Sequence, residues 1–442
     1  MGKIDTNKAE TPVNTELPDG THLTEGELNV LAEINKKYTH AVVGGKNVVM
    51  SLRHCQVQGE SFAFESLSEF KTGFIHKPKI AKRNQGQAWL EWGGKNYMPN
   101  GTGFYPDTNK CPDGVFNFFQ GFRVEPLVGD CTIFIDHLKH VVCAGDDVSF
   151  AYLIQWLAHL FQRPDQKPNV AIVLKSVEGT GKGTMVEPLL KILGSHANKT
   201  NGAYALAGRF NGIVANRLLI FADEVDLTDK HVADRLKSII TETTVNMERK
   251  GLEMEPLPNY SRLIFASNHS RVINAGPRER RYLILEPDDT KAQDSDYFKK
   301  LWAWVNDEGA AKLLYYLLQV DISGFDPYKC PQTKALIDEK LESLTGVNLF
   351  FYEQITKDEP FDGKTRISAT ELVDNYYRWC IDQGFKTSIA SCRSAIGKLM
   401  AKLGIEVKGR SDVADGKYYE FSDSVQVDRS FYNYLGISQD EI

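Results

Sequence analysis

Residues that can bind a phosphate group stand together in one loop of the chain. The segment VAIVLKSVEGTGKGTMVEPLLKILG predicts a buried strand, a glycine-rich turn and an amphipathic helix. In such a turn successive backbone N–H groups converge on an anion, the helix N-terminus adds positive charge, and a lysine reaches the β- and γ-phosphates. The loop is therefore predicted to be a Walker A loop, with these nucleotide-binding residues: Glu178, Gly179, Thr180, Gly181, Lys182, Gly183 and Thr184.

This loop departs from the Walker A pattern G-x-x-x-x-G-K-[ST] at two positions. Ser176 stands at the first glycine, and Gly183 stands where the Ser or Thr that binds Mg²⁺ is expected. The hydroxyl of Thr184 comes one residue late, so either Thr184 or a water takes that place on the metal. A glycine-rich turn without a ligand is the competing interpretation, and the flanking strand and helix argue against it.

Two adjacent carboxylates follow a second apolar strand. The segment RLLIFADEVD places Asp223 and Glu224 at the end of that strand, downstream of the phosphate loop. An aspartate there can organise Mg²⁺, and a glutamate beside it can polarise an attacking water. Hydrolysis of ATP needs that second carboxylate, whereas a strand that ends in a solvated acidic turn is the plainer alternative.

A neutral amide and a group of arginines come next. The strand SRLIFASNH ends in Ser267 and Asn268, and an amide there can hold the lytic water or sense the γ-phosphate, although Asn is also a common turn former. PRERRYLILE then places Arg278, Arg280 and Arg281 ahead of another apolar strand. A guanidinium pairs with phosphate oxygens in bidentate fashion, so these arginines predict transition-state stabilisation across a subunit boundary, with a surface basic cluster as the alternative.

The ordered motifs resemble those of superfamily 3 helicases, the ring-forming AAA+ class of small DNA viruses, plasmids and phages. The resemblance covers about residues 25–320 and is closest to the helicase region of phage and mobile-element primase-helicases and primase-polymerases. The segments that carry it are FQRPDQKPNVAIVLKSVEGTGKGT, GRFNGIVANRLLIFADE, LKSIITE, MERKG, ASNHS and ERRYLILE. TELVDNYYRWC is similar to the winged-helix tails of poxvirus and phage primase-helicases.

That resemblance implies ATP and Mg²⁺ as cofactors, with Thr184 and Asp223 at the metal. It implies a homo-hexamer in which Arg280 or Arg281 enters the ATP site of the neighbouring subunit. The catalytic residues are then expected to be Lys182, Asp223, Glu224, Asn268, Arg280 and Arg281.

A predicted β-hairpin lies between the carboxylate pair and the sensor strand. TVNMERKGLEMEPL alternates apolar residues around a polar tip. The resemblance implies that this hairpin projects into the ring channel, where Lys250, with Arg249 beside it, binds the backbone of a DNA single strand. Without the family context, an exposed solubilising hairpin is the alternative.

Strands and helices in a regular order are expected to position these residues. The fold class is predicted to be α/β, with a P-loop AAA+ (superfamily 3) ATPase core over residues 146–325, where strands alternate with helices. Residues 1–25 are polar and predict a mobile tail, and 26–145 predict a mixed α+β accessory domain. Residues 326–365 predict a helical connector, and 366–442, with two helices and a hairpin, predict a winged-helix-like DNA-binding domain.

Composition restricts the class of protein. The chain has 442 residues, of which 42% are hydrophobic and 25% charged, and this excludes a disordered or collagen-like protein. Its net charge of -6 means that any DNA contact is local. At the C-terminal domain a DNA-facing surface for duplex, or only a solvated basic face, is expected from Lys386, Arg393, Lys398, Lys402, Lys408 and Arg410.

Cysteine usage and hydropathy indicate the compartment. The seven cysteines form no C-x-x-C pair, which predicts reduced thiols and no zinc site. No apolar run approaches the length of a membrane span, and the start MGKIDTNKAETPVNTELPDG lacks the apolar core of a signal peptide. The expected location is the cytoplasm of a bacterial host, in a protein encoded by a phage or mobile element.

Three functions compete on this evidence. The leading hypothesis is an ATP-dependent replicative DNA helicase. Because no acidic metal motif precedes the loop, priming is expected to be absent or supplied by a separate primase or polymerase. The second is a DNA-binding replication initiator that assembles when it binds ATP and hydrolyses ATP only weakly. Gly183 supports this alternative because it supplies no hydroxyl for Mg²⁺. The third is a phosphotransferase of the nucleotide-kinase type, favoured only by the spelling GKGT, since such an enzyme has no use for the pair Asp223 and Glu224.

Overall fold

The structure is a computed structural model. It describes residues 14–55, 59–207, 213–247, 255–409, 416–421 and 424–438. A five-stranded parallel sheet forms its centre, and smaller modules lie before and after that sheet in the chain. No helix in these ranges is both long enough and apolar enough to cross a bilayer.

The N-terminal module comprises residues 14–98. A sheet of order β3-β2-β1-β4 packs against three helices, and β4 alone runs parallel to its neighbour. Its elements are α1 (Glu25–Asn35), β1 (Tyr38–Val43), β2 (Lys46–Cys55), β3 (Gly59–Ser66), α2 (Leu67–Gly73), α3 (Gln85–Glu91) and β4 (Tyr97–Met98).

The prediction of a mobile tail up to residue 25 is wrong for residues 14–24. Leu17 and Leu23 are buried with the tryptophans of this module. The indole Nε1 of Trp92 donates a hydrogen bond of 2.7 Å to the carbonyl of Asn14. Burial of two leucines and one shared hydrogen bond hold the segment down, while residues 1–13 lie outside the described ranges.

The segment after the N-terminal module packs against the central sheet. Its elements are β5 (Thr102–Gly103), β6 (Phe116–Asn117), α4 (Thr132–Asp136), a π-helical turn (His137–Val142) and α5 (Asp147–Gln162). Phe118 and Phe134 share one core with Leu153 of α5 and Ile172 of the central sheet. The boundary expected at residue 145 is therefore not a break in the core, because the aromatic-rich stretch covers the central sheet.

The central domain has a parallel sheet of order β13-β7-β12-β9-β8, as the alternation of strands and helices predicts. Strands β13, β7, β12 and β9 are mostly apolar and almost fully buried, whereas the edge strand β8 is polar and partly exposed. The elements are β7 (Ala171–Lys175), α6 (Lys182–Leu193), β8 (Ala197–Asn201), α7 (Tyr204–Ala207), β9 (Leu219–Asp223), α8 (Lys230–Thr241), β10 (Thr244–Met247), β11 (Glu255–Pro258), β12 (Arg262–Ser267), β13 (Tyr282–Leu285), α9 (Ser295–Trp304) and α10 (Ala310–Gln319).

The C-terminal part begins with two connector helices. It continues as a strand that the sequence does not predict and then as the two helices and the hairpin that it does, and the three strands form a small antiparallel sheet of order β14-β16-β15. The elements are α11 (Lys334–Glu342), α12 (Val347–Ile355), β14 (Arg366–Ser368), α13 (Ala369–Asp382), α14 (Ile389–Leu403), β15 (Lys408–Gly409), β16 (Lys417–Glu420) and α15 (Ser424–Tyr434).

Helix α11 carries two adjacent buried charges that bind different parts of the chain. The Glu339 carboxylate accepts backbone N–H bonds of 3.0 Å from Val272 and Ile273, beyond the end of β12. It also pairs with Lys175 at 3.1 Å. Lys340 Nζ donates to the carbonyls of Leu435 and Gly436, at 3.1 and 3.2 Å. One helical turn thus joins the central domain to the end of the C-terminal module.

Candidate ATP site

The predicted ATP-site residues meet at the carboxyl edge of the central sheet. Strand β12 pairs with β7 so that Ser267 lies beside Lys175, and with β9 so that Phe265 lies beside Ala222. The residues that directly follow these strands therefore lie side by side. Ligands of open parallel sheets bind at this edge, where the strands end.

The phosphate loop adopts the backbone that its glycines permit. Gly179 and Gly181 have φ of +80° and +88°, a region that side chains disfavour, and α6 begins at Lys182 directly after them. A Cβ on Gly181 would also lie 2.9 Å from the ring of His137 and 2.7 Å from the ring of Phe298. Both the positive φ and the crowding therefore favour glycine at position 181. The turn leaves the first N–H groups of α6 open to an anion.

The ammonium of Lys182 lies over its own loop. It donates to the Ser176 carbonyl at 2.6 Å, to the Val177 carbonyl at 3.0 Å and to Asn268 Oδ1 at 2.5 Å. Burial lowers the pKa of Lys182, while the nearby carboxylates of Asp223 and Glu178 oppose that change. The predicted sensor amide and the predicted phosphate-binding lysine are therefore in direct contact.

The carboxylate pair lies on a constrained backbone. Glu224 has φ of +52°, which is uncommon for a residue with a side chain, and its N–H donates to Asp223 Oδ1 at 3.1 Å. The next residue is anchored to β12, since Val225 N–H donates to Ala266 at 3.0 Å and Ser267 Oγ donates to Val225 at 2.7 Å. Such strained residues persist where the surroundings fix them, and they are frequent at functional sites.

The predicted magnesium position contains the departure noted in the sequence. A Cβ at Gly183 would meet no atom within 4 Å, so the place of the usual hydroxyl is open space. Thr184 is only 5% exposed and lies about 100° further round α6. Of the two candidates for that ligand, a water at Gly183 fits the open space better than the buried Thr184 does.

A group of rings behind the loop was not found by sequence reasoning. His137 lies in the π-helical turn after α4, and its Nδ1 is 2.9 Å from the Tyr297 hydroxyl on α9. Burial lowers the pKa of His137 to about 4. These residues are 160 positions apart in sequence, and no spacing pattern joins them. His137 borders Gly181 together with Phe298, and Tyr297 contacts the loop only through its hydrogen bond to His137.

The predicted arginines lie at the opposite edge of the same sheet. Strand β13 pairs with β7 so that Tyr282 lies beside Ala171, the first residue of β7. Arg281 therefore lies at the amino edge of the sheet, where β7 begins. Five residues of β7 separate that edge from the phosphate loop, roughly 15 Å at about 3.3 Å per residue. Arg281 is held by buried Glu279 at 3.2 Å, whereas the exposed Arg280 side chain has no partner among the described residues. Neither arginine reaches the phosphate loop of its own chain.

The predicted hairpin is present as β10 and β11. These strands pair antiparallel from Thr244 with Pro258 to Met247 with Glu255. The predicted DNA-binding residues Arg249 and Lys250 belong to its tip, which lies outside the described ranges.

The central domain matches a known family model. A family of unknown function, DUF5906, matches residues 174–281. That segment runs from the end of β7 to Arg281, so it contains every residue predicted for ATP and magnesium and the hairpin residues Arg249 and Lys250, but not the basic residues of the C-terminal domain.

Comparison with sequences and solved structures reaches further along the chain. The DNA primase-polymerase of Nitratiruptor phage NrS-1 is 26% identical over 247 residues, which are 54% of this chain and 31% of that protein. An apo structure of the NrS-1 C-terminal region has a TM-score of 0.63 at 16% identity and covers 90% of this chain and 99% of that one. A second apo form gives 0.64 at 18% identity, with 88% and 97% covered. The chain shares the fold of that C-terminal region.

The fold shared with NrS-1 is larger than the candidate ATP site. Because the match covers 90% of this chain, it includes most of the modules on both sides of the central sheet. The sequence match makes the chain a relative of the phage primase-polymerase, and it spans about a third of the length of that relative.

Proposed function

We propose that this chain is the ATP-driven motor of a phage or mobile-element DNA replication protein. In this proposal it is a ring-forming superfamily 3 ATPase of the AAA+ class that translocates on DNA and unwinds it in the host cytoplasm. The observation that carries the proposal is the meeting of Lys182, Asp223 and Asn268 at the carboxyl edge of one parallel sheet, with Lys182 bonded to Asn268 at 2.5 Å. The relationship to a phage primase-polymerase supports a role in replication.

Each residue of the site has a distinct task in the proposed reaction. The backbone N–H groups around Gly179 and Gly181 bind phosphate oxygens, and Lys182 leaves its own loop carbonyls to bind the β- and γ-phosphates. Mg²⁺, when bound beside Asp223, supplies neutralisation of phosphate charge. Glu224 takes a proton from the attacking water, and Asn268 holds that water or contacts the γ-phosphate.

The placement of the arginines supports assembly into a ring. Since Arg280 is exposed at the edge of the sheet opposite the phosphate loop, it is available to the site of a neighbouring subunit. A guanidinium that enters that site stabilises charge in the transition state. We propose a homo-hexamer on this basis, in which Arg280 is the better candidate because Glu279 already binds Arg281.

DNA binding is proposed for the hairpin of β10 and β11. One Lys250 per subunit, repeated around a ring, gives a basic channel within a chain whose net charge is -6. ATP-dependent movement of the hairpins would then draw a single strand through the channel. A separate primase or polymerase completes the replication machinery in this proposal.

The test is ATP hydrolysis by the full chain with and without single-stranded DNA. We expect stimulation by DNA, no hydrolysis in Lys182→Ala, and a loss of about 100-fold or more in kcat with retained ATP binding in Glu224→Gln. Lys250→Ala should lose the stimulation, whereas Lys230→Ala, an exposed lysine of α8, should keep it. Unwinding at the normal rate by Glu224→Gln would refute the assignment of the base.

A second function has one observation in its favour. Gly183 offers no hydroxyl to Mg²⁺ and Thr184 is buried, which predicts a weak magnesium site. In this second function the chain is an initiator that assembles on DNA when it binds ATP and hydrolyses ATP only slowly. Tight ATP binding and DNA-dependent assembly without turnover would favour this function over the motor. The nucleotide-kinase alternative has no structural observation that favours it.

A further inference from the structure

The C-terminal module contains a cavity that the proposed motor does not use. Its volume is about 180 Å³, and it lies between the segment that joins α12 to β14, the end of β16 and the helix α15. A cavity of about 150 Å³ holds a benzene-sized group, so this one has room for the end of one long side chain. The described residues that line it include Ile355, Pro360, Phe361, Phe421, Val427 and Asp428.

A pair of stacked rings forms part of the cavity wall. The rings of Phe361 and Phe421 are nearly parallel, at 13°, and their centroids are 4.2 Å apart. Phe361 and Asp362 have φ of +52° and +56°, a left-handed backbone that residues with side chains adopt only where their surroundings fix it. Phe361 therefore reaches the stack from a constrained turn at the edge of the cavity.

One carboxylate faces the cavity without a partner. Asp428 of α15 is half-buried, and its side chain forms no ion pair or hydrogen bond with another described residue. Burial raises the pKa of the Asp428 carboxyl, and no cation offsets that effect. This carboxylate has thus lost part of its water and has gained no counterion.

The lysines beside the cavity are already paired. Lys357 binds Asp362 at 3.2 Å, and Lys364, which lines the cavity, binds Glu371. Neither ammonium is therefore free to neutralise Asp428.

A second carboxylate without a cation stands at the rim. Glu359 is exposed, and its Oε2 lies 3.6 Å from the position of a Cβ on Gly363, another lining residue. Within the described part of the chain, no lysine or arginine pairs with Glu359. The cavity and its rim thus carry two carboxylates that lack a counterion.

We propose that this cavity binds an arginine side chain of a partner polypeptide, with Asp428 as the counterion of the guanidinium. Aromatic rings attract cations, and a guanidinium is planar, weakly hydrated and able to bind a carboxylate through two N–H groups. An apolar ligand would bury the carboxylate further without a partner, and the two carboxylates repel phosphate. This site goes beyond the proposed function, since it requires neither ATP nor DNA.

The position of Glu359 favours a polypeptide over a free small cation. The cavity has room for one side chain, and Glu359 lies outside it at the rim. A basic residue next to the bound arginine can pair with this second carboxylate. The expected ligand is therefore a basic segment that inserts one arginine.

The test follows methyl signals of the full chain by NMR, without nucleotide. The probe is an acetylated and amidated tripeptide of lysine, arginine and lysine. We expect it to shift the signals of Ile355 and Val427, which line the cavity, and to leave Ile172 of the central sheet unchanged. The same peptide with uncharged citrulline in place of arginine should bind at least about tenfold more weakly. Equal affinities of the two peptides would overturn the proposal.

A matched pair of variants identifies the counterion. Asp428→Asn should bind the arginine peptide at least about tenfold more weakly. Its Tm should be equal to or above that of the wild type, because the amide removes a charge that burial disfavours. Asp382→Asn changes an exposed aspartate of α13 and should keep the wild-type affinity to within about twofold. Normal binding by Asp428→Asn would contradict the assignment.

Two further probes separate the sources of the ligand. If acetyl-arginine amide binds as tightly as the tripeptide, the site takes a free small cation and the polypeptide partner is refuted. If single-stranded DNA gives the shifts of Ile355 and Val427 that the tripeptide does not, the cavity binds nucleic acid and the proposal fails. Since no nucleotide is present, a chain that lacks ATPase activity can still show peptide binding, so this proposal and the motor function fail independently.

Discussion

Gly183 is a single residue on which the chemistry of the proposed ATP site depends. It follows the phosphate-binding lysine, has no side chain, and faces open space where a hydroxyl usually binds magnesium. Its φ is not in the left-handed region, so the backbone accepts other residues at this position.

Restoring that hydroxyl is expected to strengthen the magnesium site. We predict that Gly183→Ser lowers the Mg²⁺ concentration for half-maximal hydrolysis by about tenfold, the factor that corresponds to about 1.4 kcal/mol of added interaction. Gly183→Ala has the same backbone change and Cβ without the hydroxyl, and it should match the wild type. Magnesium titrations of the hydrolysis rate measure the difference, and equal curves for the Ser and Ala variants would show that the position does not face the metal.

The ring contact behind the loop gives a second prediction at the level of one atom. Tyr297→Phe removes the hydroxyl that forms a hydrogen bond with His137. Loss of this bond should destabilise the observed conformation of the phosphate loop by about 1 kcal/mol. We expect KM for ATP to rise about fivefold. Tyr315→Phe, on α10, is the matched control, and an unchanged KM in both variants would mean that the ring contact does not position the loop.

Sequence reasoning found the residues that follow strands and missed those that only tertiary packing brings in. Asp223 and Asn268 each stand at the end of an apolar run, and Lys182 follows the glycine-rich loop after a third such run, so parallel strands and one loop bring them to one edge. His137 and Tyr297 belong to separate helical segments, and their contact depends on how those segments pack. Local periodicity carries no information about such a pair.

At the scale of elements, the joint between α5 and β12 is sensitive to pH. His159 of α5 is buried, and its Nδ1 lies 3.2 Å from the guanidinium of Arg262, so this nitrogen accepts the hydrogen bond. Burial first, and then the charge of Arg262, lower the pKa of His159 to about 4. The neutral ring is therefore part of the native joint.

This joint predicts a loss of stability in mild acid. Unfolded His159 binds a proton below about pH 6.5 and native His159 only below about 4, so the stabilisation is full above pH 6.5 and is lost as pH falls toward 4. The full loss is about 3 kcal/mol. We expect the apparent Tm to fall less between pH 7.5 and 5.5 in His159→Asn, whose amide oxygen can still accept from Arg262, than in the wild type. Parallel pH profiles of the two proteins would contradict this assignment.

Element types were predictable and the limits of modules were not. Helices and strands of the central domain follow apolar periodicity, which is a local property. The packed segment 14–24 has a mostly polar sequence, and its burial comes from only two residues, Leu17 and Leu23. Two leucines in a polar stretch give no periodic pattern from which packing could be predicted. The shared core of Phe118 and Leu153 likewise joins stretches that a change of pattern separates.

At the scale of the whole molecule, α11 is the joint between the ATP-binding and C-terminal parts. Its Lys340 is held by carbonyls at the end of α15, and Glu339 is held by the backbone that follows the sensor strand. The loop that follows β12 is therefore connected to the C-terminal module through one turn of α11.

Cutting one side of this joint should loosen the C-terminal module. We predict that Lys340→Met, which leaves the Leu435 and Gly436 carbonyls without that donor, costs about 1–3 kcal/mol and increases protease cleavage in the connector between residues 343 and 365. Lys334→Met, at an exposed position of the same helix, should be cleaved like the wild type. Unaltered cleavage of Lys340→Met would show that other contacts suffice to dock the module.

The opposite placement of the phosphate loop and the arginines along β7 has a consequence for how activity depends on protein concentration. In the proposed ring, a single chain carries both halves of a site and cannot join them, so n chains in an open row would complete n − 1 sites, and ring closure would complete the last. Specific activity should therefore rise steeply and sigmoidally as the protein concentration increases, and then reach a plateau. Added Arg280→Ala chains would silence their wild-type neighbours on one side only, which makes inhibition in mixtures directional.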